Sequence, residues 1–151
     1  MFTKVKKASD LSQLLRKLGN QGPINAQAVA LMLTERNFRG SFFRIAELCY
    51  SAIVVYLFRR DPAVTLGHSQ VSFPYWRRRY GKNNASLLLA TLSEVASYEL
   101  CCIYLETNRR DTLRELLICY NGKPSKLYAT LFIENLGTVR QRLAQLRLPT
   151  V

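Results

Sequence analysis

The sequence predicts an all-α protein, a compact bundle of about six helices with one long basic and aromatic crossover loop at residues 62–82. Three observations predict it. Apolar residues recur at helical spacing in run after run. Cap and terminator residues such as Ser9, Gly19, Asn25, Gly40 and Gly122 bracket those runs. Gly and Pro are sparse, 7 and 5 in 151 residues, and no linker-like tract or internal repeat divides the chain. Residues 1–151 therefore read as a single helical domain, long enough to bury a core without a disulfide or metal staple.

The elements follow in order. Ser9 precedes DLSQLLRKL, where Leu11, Leu14, Leu15 and Leu18 share one face and Gly19 closes the run. After the turn NQGP, Asn25 caps AQAVALMLTERNF. Ser41 caps SFFRIAELCYSAIVVYLFRR, whose only polar strip is Arg44, Glu47 and Ser51. A helix apolar nearly all round belongs at the centre of a fold, with Arg44 and Glu47 as an i,i+3 ion pair at its wet edge. Arg59 and Arg60 complement its C-terminal dipole, and Asp61-Pro62 ends it. Residues 62–82 follow as an irregular stretch punctuated by Pro62, Gly67, Pro74 and Gly81, with a short strand near VSF. Loops of that length are uncommon in compact domains and often functional. Asn83 or Asn84 caps one long helix, ASLLLATLSEVASYELCCIYLET. Asp111 caps TLRELLICY, and Ser125 caps KLYATLFIENLGTVRQRLAQL, which Gly137 could kink.

Charge is the strongest compositional signal. Twenty-two Lys and Arg oppose ten acids, a formal net charge of +12 and a pI near 10.0, and fifteen of the cations are Arg. Self-repulsion of that size points to a polyanionic partner, and the planar guanidinium fork suits phosphate. The stretch PYWRRRYGKNN, residues 74–84, holds three aromatic rings and four cations with no acid. Arg77, Arg78, Arg79 and Lys82 in that loop, with Arg59 and Arg60 before it, flank one crossover; Arg109, Arg110, Lys123 and Lys126 flank two later turns. These are the candidate phosphate contacts. Tyr75 and Tyr80 are candidate stacking rings for unpaired bases, and Trp76 reads as pinned to the core.

Other chemistries find little support. The cysteines, Cys49, Cys101, Cys102 and Cys119, lie in apolar runs without metal-site spacing and read as core thiols of a reducing compartment. His68 is the single histidine, and no phosphate-cradling Gly loop or dinucleotide fingerprint is present. Glu99 and Glu106 share a face and are the best carboxylates for a metal-dependent nuclease, the weaker alternative. No catalytic residue, metal or cofactor is expected. The longest apolar run, residues 46–58, is too short for a membrane span, so a cytoplasmic protein without membrane contact is expected. A second alternative is an interaction module that docks an acidic protein partner.

Small size, a helical bundle, high pI and clustered arginines without catalytic groups resemble the small subunit of a CRISPR RNA-guided surveillance complex of the Cascade type, such as type I-D. The resemblance is architectural, spanning the helical runs 9–18, 26–39, 42–60, 84–107, 112–121 and 126–147, with Arg59/Arg60, Arg77/Arg78/Arg79 and Arg109/Arg110 as its basic surface. It implies a non-catalytic ribonucleoprotein subunit in antiviral defence. Such a subunit contacts the backbone of a guide RNA–target DNA duplex or of the displaced strand, beside other subunits and further copies of itself.

Overall fold

The computed structural model describes residues 4–38, 40–81, 83–109 and 112–151, with residues 4–9 and 41 by their backbone alone. The described residues form eight helices and one small hairpin: α1 Lys4–Gly19, α2 Ala26–Phe38, α3 Ser41–Leu57, β1 Thr65–Leu66, β2 Val71–Ser72, α4 Phe73–Tyr80, α5 Asn84–Ala90, α6 Glu94–Thr107, α7 Leu113–Asn121 and α8 Lys126–Leu146. The all-α architecture holds.

Caps explain most boundaries. Asn25 Oδ1 accepts from the backbone of Gln27 and Ala28 at the start of α2. Ser93, Thr112 and Ser125 do the same for α6, α7 and α8. The cap of α7 is Thr112; Asp111, expected in that role, lies outside the described residues. Gly122, at φ 76°, ends α7 in the left-handed conformation that glycine adopts without a Cβ penalty. Gly137 neither kinks nor splits α8, which runs unbroken for 21 residues.

The centre of the bundle is α2. Ala28, Val29, Ala30, Leu31 and Met32 are consecutive and fully or almost fully buried, which requires neighbours all round. Those neighbours include α8 and α6, and Phe132, Leu136, Val139 and Leu143 of α8 form the seam expected from their spacing. Small side chains let the backbones approach. The polar residues of α2 are satisfied inside: Thr34 donates to the Ala30 carbonyl, Asn135 donates to Thr34, and Glu35 accepts a 2.6 Å hydrogen bond from Tyr128. The C-terminus is tied down too, since Ile24 and Thr150 pair across backbone hydrogen bonds to Pro149 and Val151.

Ser9 lies inside α1 rather than capping it, and Gly40, not Ser41, stands at the N-cap of α3. Three larger expectations also need correction. The stretch 62–82 is not an irregular loop, because a two-residue antiparallel hairpin and the eight-residue α4 fill most of it. The expected long helix 84–107 is two helices, α5 and α6, meeting at 90°. Thr91, buried at the corner, donates to the Leu88 carbonyl, and Ser93 opens α6, so the polar TLS step supplies both an end and a cap.

The third correction concerns α3, which does not lie at the centre. It packs chiefly on β1 and α5 through Ser51, Val54 and Val55, and turns Phe42, Phe43, Ile45, Ile53 and Leu57 to the outside, each half or more exposed. Its polar strip faces inward instead. Arg44 Nη1 donates to His68 Nδ1 at 3.0 Å, and Ser51 donates to the Glu47 carbonyl. An all-round apolar pattern shows that both faces tolerate burial; it does not show that this chain alone supplies both neighbours.

A second cluster of buried residues, Leu66, Val71, Phe73, Trp76, Leu87 and Leu100 among them, sits under the hairpin and α4. Its tightest point is Gly67, at φ 79°. A Cβ there would stand 2.6 Å from Trp76 Cζ2 and 2.9 Å from Ser97 Oγ. Gly67→Ala is therefore expected to cost about 2–4 kcal/mol, combining left-handed strain with overpacking. A chemical-denaturation midpoint shift of that size checks it.

Candidate nucleic-acid interface

The basic motif folds as α4 and the turn after it. Phe73 and Trp76 point inward on one face, both fully buried, which leaves Arg78 and Arg79 on the opposite, exposed face. Trp76 Nε1 donates to the carbonyls of Leu66 and Val71, at 3.2 and 3.1 Å, so the indole clamps both strands of the hairpin. The three arginines lie in the last turn of α4 rather than ahead of a helix start. There the macrodipole favours them, so their position in sequence alone demands no anion.

What surrounds them matters more. α3 ends at Leu57, and Arg59 takes the left-handed conformation, φ 49°, which turns the chain back toward α4. Arg59, Arg60 and Arg77 thereby line one surface cleft of about 430 Å³ with Tyr56, Asp61 and Asn84. Arg77 is held from both sides: its Nε and Nη2 donate to Asp61 Oδ1, at 3.1 and 2.7 Å, and its Nη1 donates to Asn84 Oδ1 at 2.7 Å. Three guanidinium groups and one carboxylate leave the cleft with a formal excess of two positive charges.

The opposite flank of α4 is built on tyrosines. The Arg78 guanidinium lies 5.7 Å from the Tyr75 ring centre, and Tyr75 Oη accepts from Asn108 at 3.0 Å. Arg109, exposed, follows Asn108 directly in the chain, so its backbone lies beside this flank. Arg79 sits 3.5 Å from Glu99, which also accepts a 2.7 Å bond from Tyr80. Burial and the Glu99 carboxylate raise the Tyr80 pKa, so its phenol stays protonated. Tyr75 and Tyr80 both spend their hydroxyls internally, and Tyr75 packs on Tyr104 while Tyr80 packs on Trp76. Each ring is partly buried and has a guanidinium beside it, Arg78 at 5.7 Å from the Tyr75 centre and Arg79 at 5.8 Å from that of Tyr80.

The sequence-predicted cations thus separate into three sets. Arg59, Arg60, Arg77, Arg78, Arg79 and Arg109 gather around α4. Lys123 and Lys126 are exposed at the turn into α8, whose first turn is held to the end of α2 by Tyr128, through Glu35 and Phe38. No hydrogen bond or ion pair among the described residues joins them to α4. Lys82 and Arg110 lie outside the described residues. Asp61 and Asn84, which hold Arg77, escaped the sequence reading because each had a simpler local role, as a terminator and a cap, and nothing in the sequence singles out Asn108, which holds Tyr75.

Glu99, one of the two carboxylates considered for metal chemistry, is engaged by Tyr80 and Arg79, and no cluster of three metal-ligating side chains exists among the described residues. Cysteine burial is mixed rather than uniform. Cys101 is fully buried, with its thiol pushed up to about 12 by burial, whereas Cys49 and Cys119 are exposed because they fall on outward helix faces; all four are free. Among the described residues no single helix is long and apolar enough to cross a membrane. Comparison with protein-family models, curated protein sequences and solved structures finds no match to this chain.

Both ring nitrogens of His68 have partners. Arg44 donates to its Nδ1, so Nε2 carries the proton and faces the Leu92 carbonyl at 3.3 Å. Burial, and then the Arg44 charge, lower its pKa. A second proton would have to enter at Nδ1, against a guanidinium. The unfolded chain binds that proton near its ordinary value of about 6.5 and the native one only below it. Native stability should therefore fall as pH drops through about 6.5 and level off below the native pKa. The urea midpoint measured against pH should show this decline, and His68→Gln should flatten it.

Proposed function

We propose that this chain is a non-catalytic subunit that binds the nucleic-acid backbone without reading sequence, within a larger ribonucleoprotein of the kind its resemblance to the Cascade small subunit implies. The observation that carries the reading is the gathering of six arginines around one eight-residue helix, where Asp61 and Glu99 are the only acids ion-paired to them among the described residues. The macrodipole of α4 accounts for three arginines on that helix but not for Arg59, Arg60 and Arg109 brought beside them from other elements. Guanidinium groups held by Asp61, Asn84 and Tyr75 lose less conformational freedom when a phosphate arrives. Backbone phosphates have the charge and spacing to meet several of them, and each contact releases counterions. Arginine side chains reach phosphates wherever these lie along a strand, so the contacts expected are to backbone rather than to base edges.

Fluorescence anisotropy with labelled oligonucleotides of unrelated sequence tests this. Binding should be salt-sensitive and nearly equal across sequences. Indifference to nucleic acid, with salt-sensitive binding to an acidic polypeptide such as polyglutamate, would reject the reading and leave the surface to an acidic protein partner.

A further inference from the structure

The outer face of α3 is the largest feature that nucleic-acid binding leaves unexplained. At about 100° per residue, the outward side chains from Ile45 through Phe43 cover an arc of roughly 160° without one charge. Phe42 is 78% exposed, Leu57 75% and Phe43 66%. Taking about 200 Å² for an aromatic side chain, and slightly less for Ile and Leu, the exposed part of this face amounts to roughly 900 Å². The largest apolar patch on a typical monomer is about 300–600 Å². A standard protein interface takes about 800 Å² from each partner.

The pattern along the helix selects the occupant. Phe42, Ala46, Cys49, Ile53 and Tyr56 follow one another at steps of four, three, four and three residues, all of them exposed. That is the seam of a helix pair packed at a shallow crossing angle. Its small residues, Ala46 and Cys49, lie in the middle and its large rings lie at both ends, Phe42 with Phe43 at one and Tyr56 at the other. In an antiparallel two-fold pair on this seam, Phe42 of one copy meets Tyr56 of the other at each end. The two-fold axis then passes near Cys49, small residues meet at the crossing, and the rings of each copy cover the far end of the other. The antiparallel arrangement also places Arg59 and Arg60 of the two copies at opposite ends, where a parallel pair would crowd them together.

We infer that two copies of this chain associate through α3, antiparallel and centred on Cys49. The interface is isologous, the commonest symmetry among homo-oligomers. It supplies the neighbour that the outer face of α3 lacks within one chain. The interface does not involve α4, so it stands whether or not nucleic acid binds there.

Sedimentation equilibrium on the full chain at micromolar concentration should give twice 17.3 kDa. Ile53→Glu, on the exposed half of the seam, should return the protein to a monomer with unchanged far-ultraviolet circular dichroism. In a Cys119→Ser background, which removes the other exposed thiol, a short bismaleimide should join two chains through Cys49. Cys49→Ser in that background should not cross-link. A monomer at all accessible concentrations overturns the proposal. So does a dimer that is indifferent to Ile53→Glu and does not cross-link through Cys49. A monomer that floats with phosphatidylserine vesicles through this face overturns it as well and assigns α3 to a lipid surface.

Discussion

Trp76→Ala is expected to lower the free energy of unfolding by about 3–5 kcal/mol, the range for emptying a large aromatic site in a close-packed core. Trp76 is fully buried, and it anchors a cluster that joins the hairpin, α4, α5 and α6. It also supplies the hydrogen bond that both strands use, to the Leu66 and Val71 carbonyls. Trp76→Phe keeps much of the apolar volume and removes that donor, so it should cost less, about 1–3 kcal/mol. The loss matters beyond stability. With the hairpin unclamped, α4 loses the seat from which it presents its arginines, so Trp76→Ala should weaken nucleic-acid binding although the indole touches no ligand. Urea titration followed by tryptophan-independent circular dichroism checks the first effect. A loss below about 1 kcal/mol would mean that Trp76 is not the keystone of this cluster.

The second large effect is on binding. Reversing Arg59, Arg60 and Arg78 together to glutamate should reduce affinity for any oligonucleotide by roughly 100-fold or more at low salt, at about 1 kcal/mol for each lost contact and with added repulsion. These three are the right set because all are exposed and none has a carboxylate partner among the described residues. Arg77 is the wrong choice. A glutamate there would face Asp61 and break the tie to Asn84, which mixes a folding defect into the readout. The triple variant should keep its helical circular dichroism and its denaturation midpoint. Reversing Lys123 and Lys126 instead should change affinity far less, since no hydrogen bond or ion pair among the described residues ties them to α4.

Much of this was legible in residue spacing. The seam of α8 and the caps Asn25 and Ser125 follow from local pattern, because the forces that set them act within one or two helical turns. The corner at Thr91 and the helix at 73–80 were harder. A polar TLS step resembles an ordinary exposed turn of a long helix, and α4 has a proline at its start and too few apolar residues for a periodic signal. Arg77-Arg78-Arg79 thus looked like a loop cluster. The arginines were readable as candidates but their neighbours were not: Asp61 reaches Arg77 across 16 positions, and Asn108 reaches Tyr75 across 33. No periodicity encodes such contacts. The outward face of α3 was misassigned for a different reason. Hydropathy reports that a surface will be covered, and says nothing about which molecule covers it.

The salt dependence of binding tests the central claim most directly, that the arginines around α4 seat a phosphate backbone together. For the native chain, the logarithm of affinity against the logarithm of salt concentration should fall on a line with a slope of about −3 to −5, the signature of four to six neutralised phosphates. For the Arg59, Arg60 and Arg78 triple variant the slope should be shallower by about two to three. Equal slopes for the two proteins would contradict the account, because whatever bound the oligonucleotide would then be binding it elsewhere.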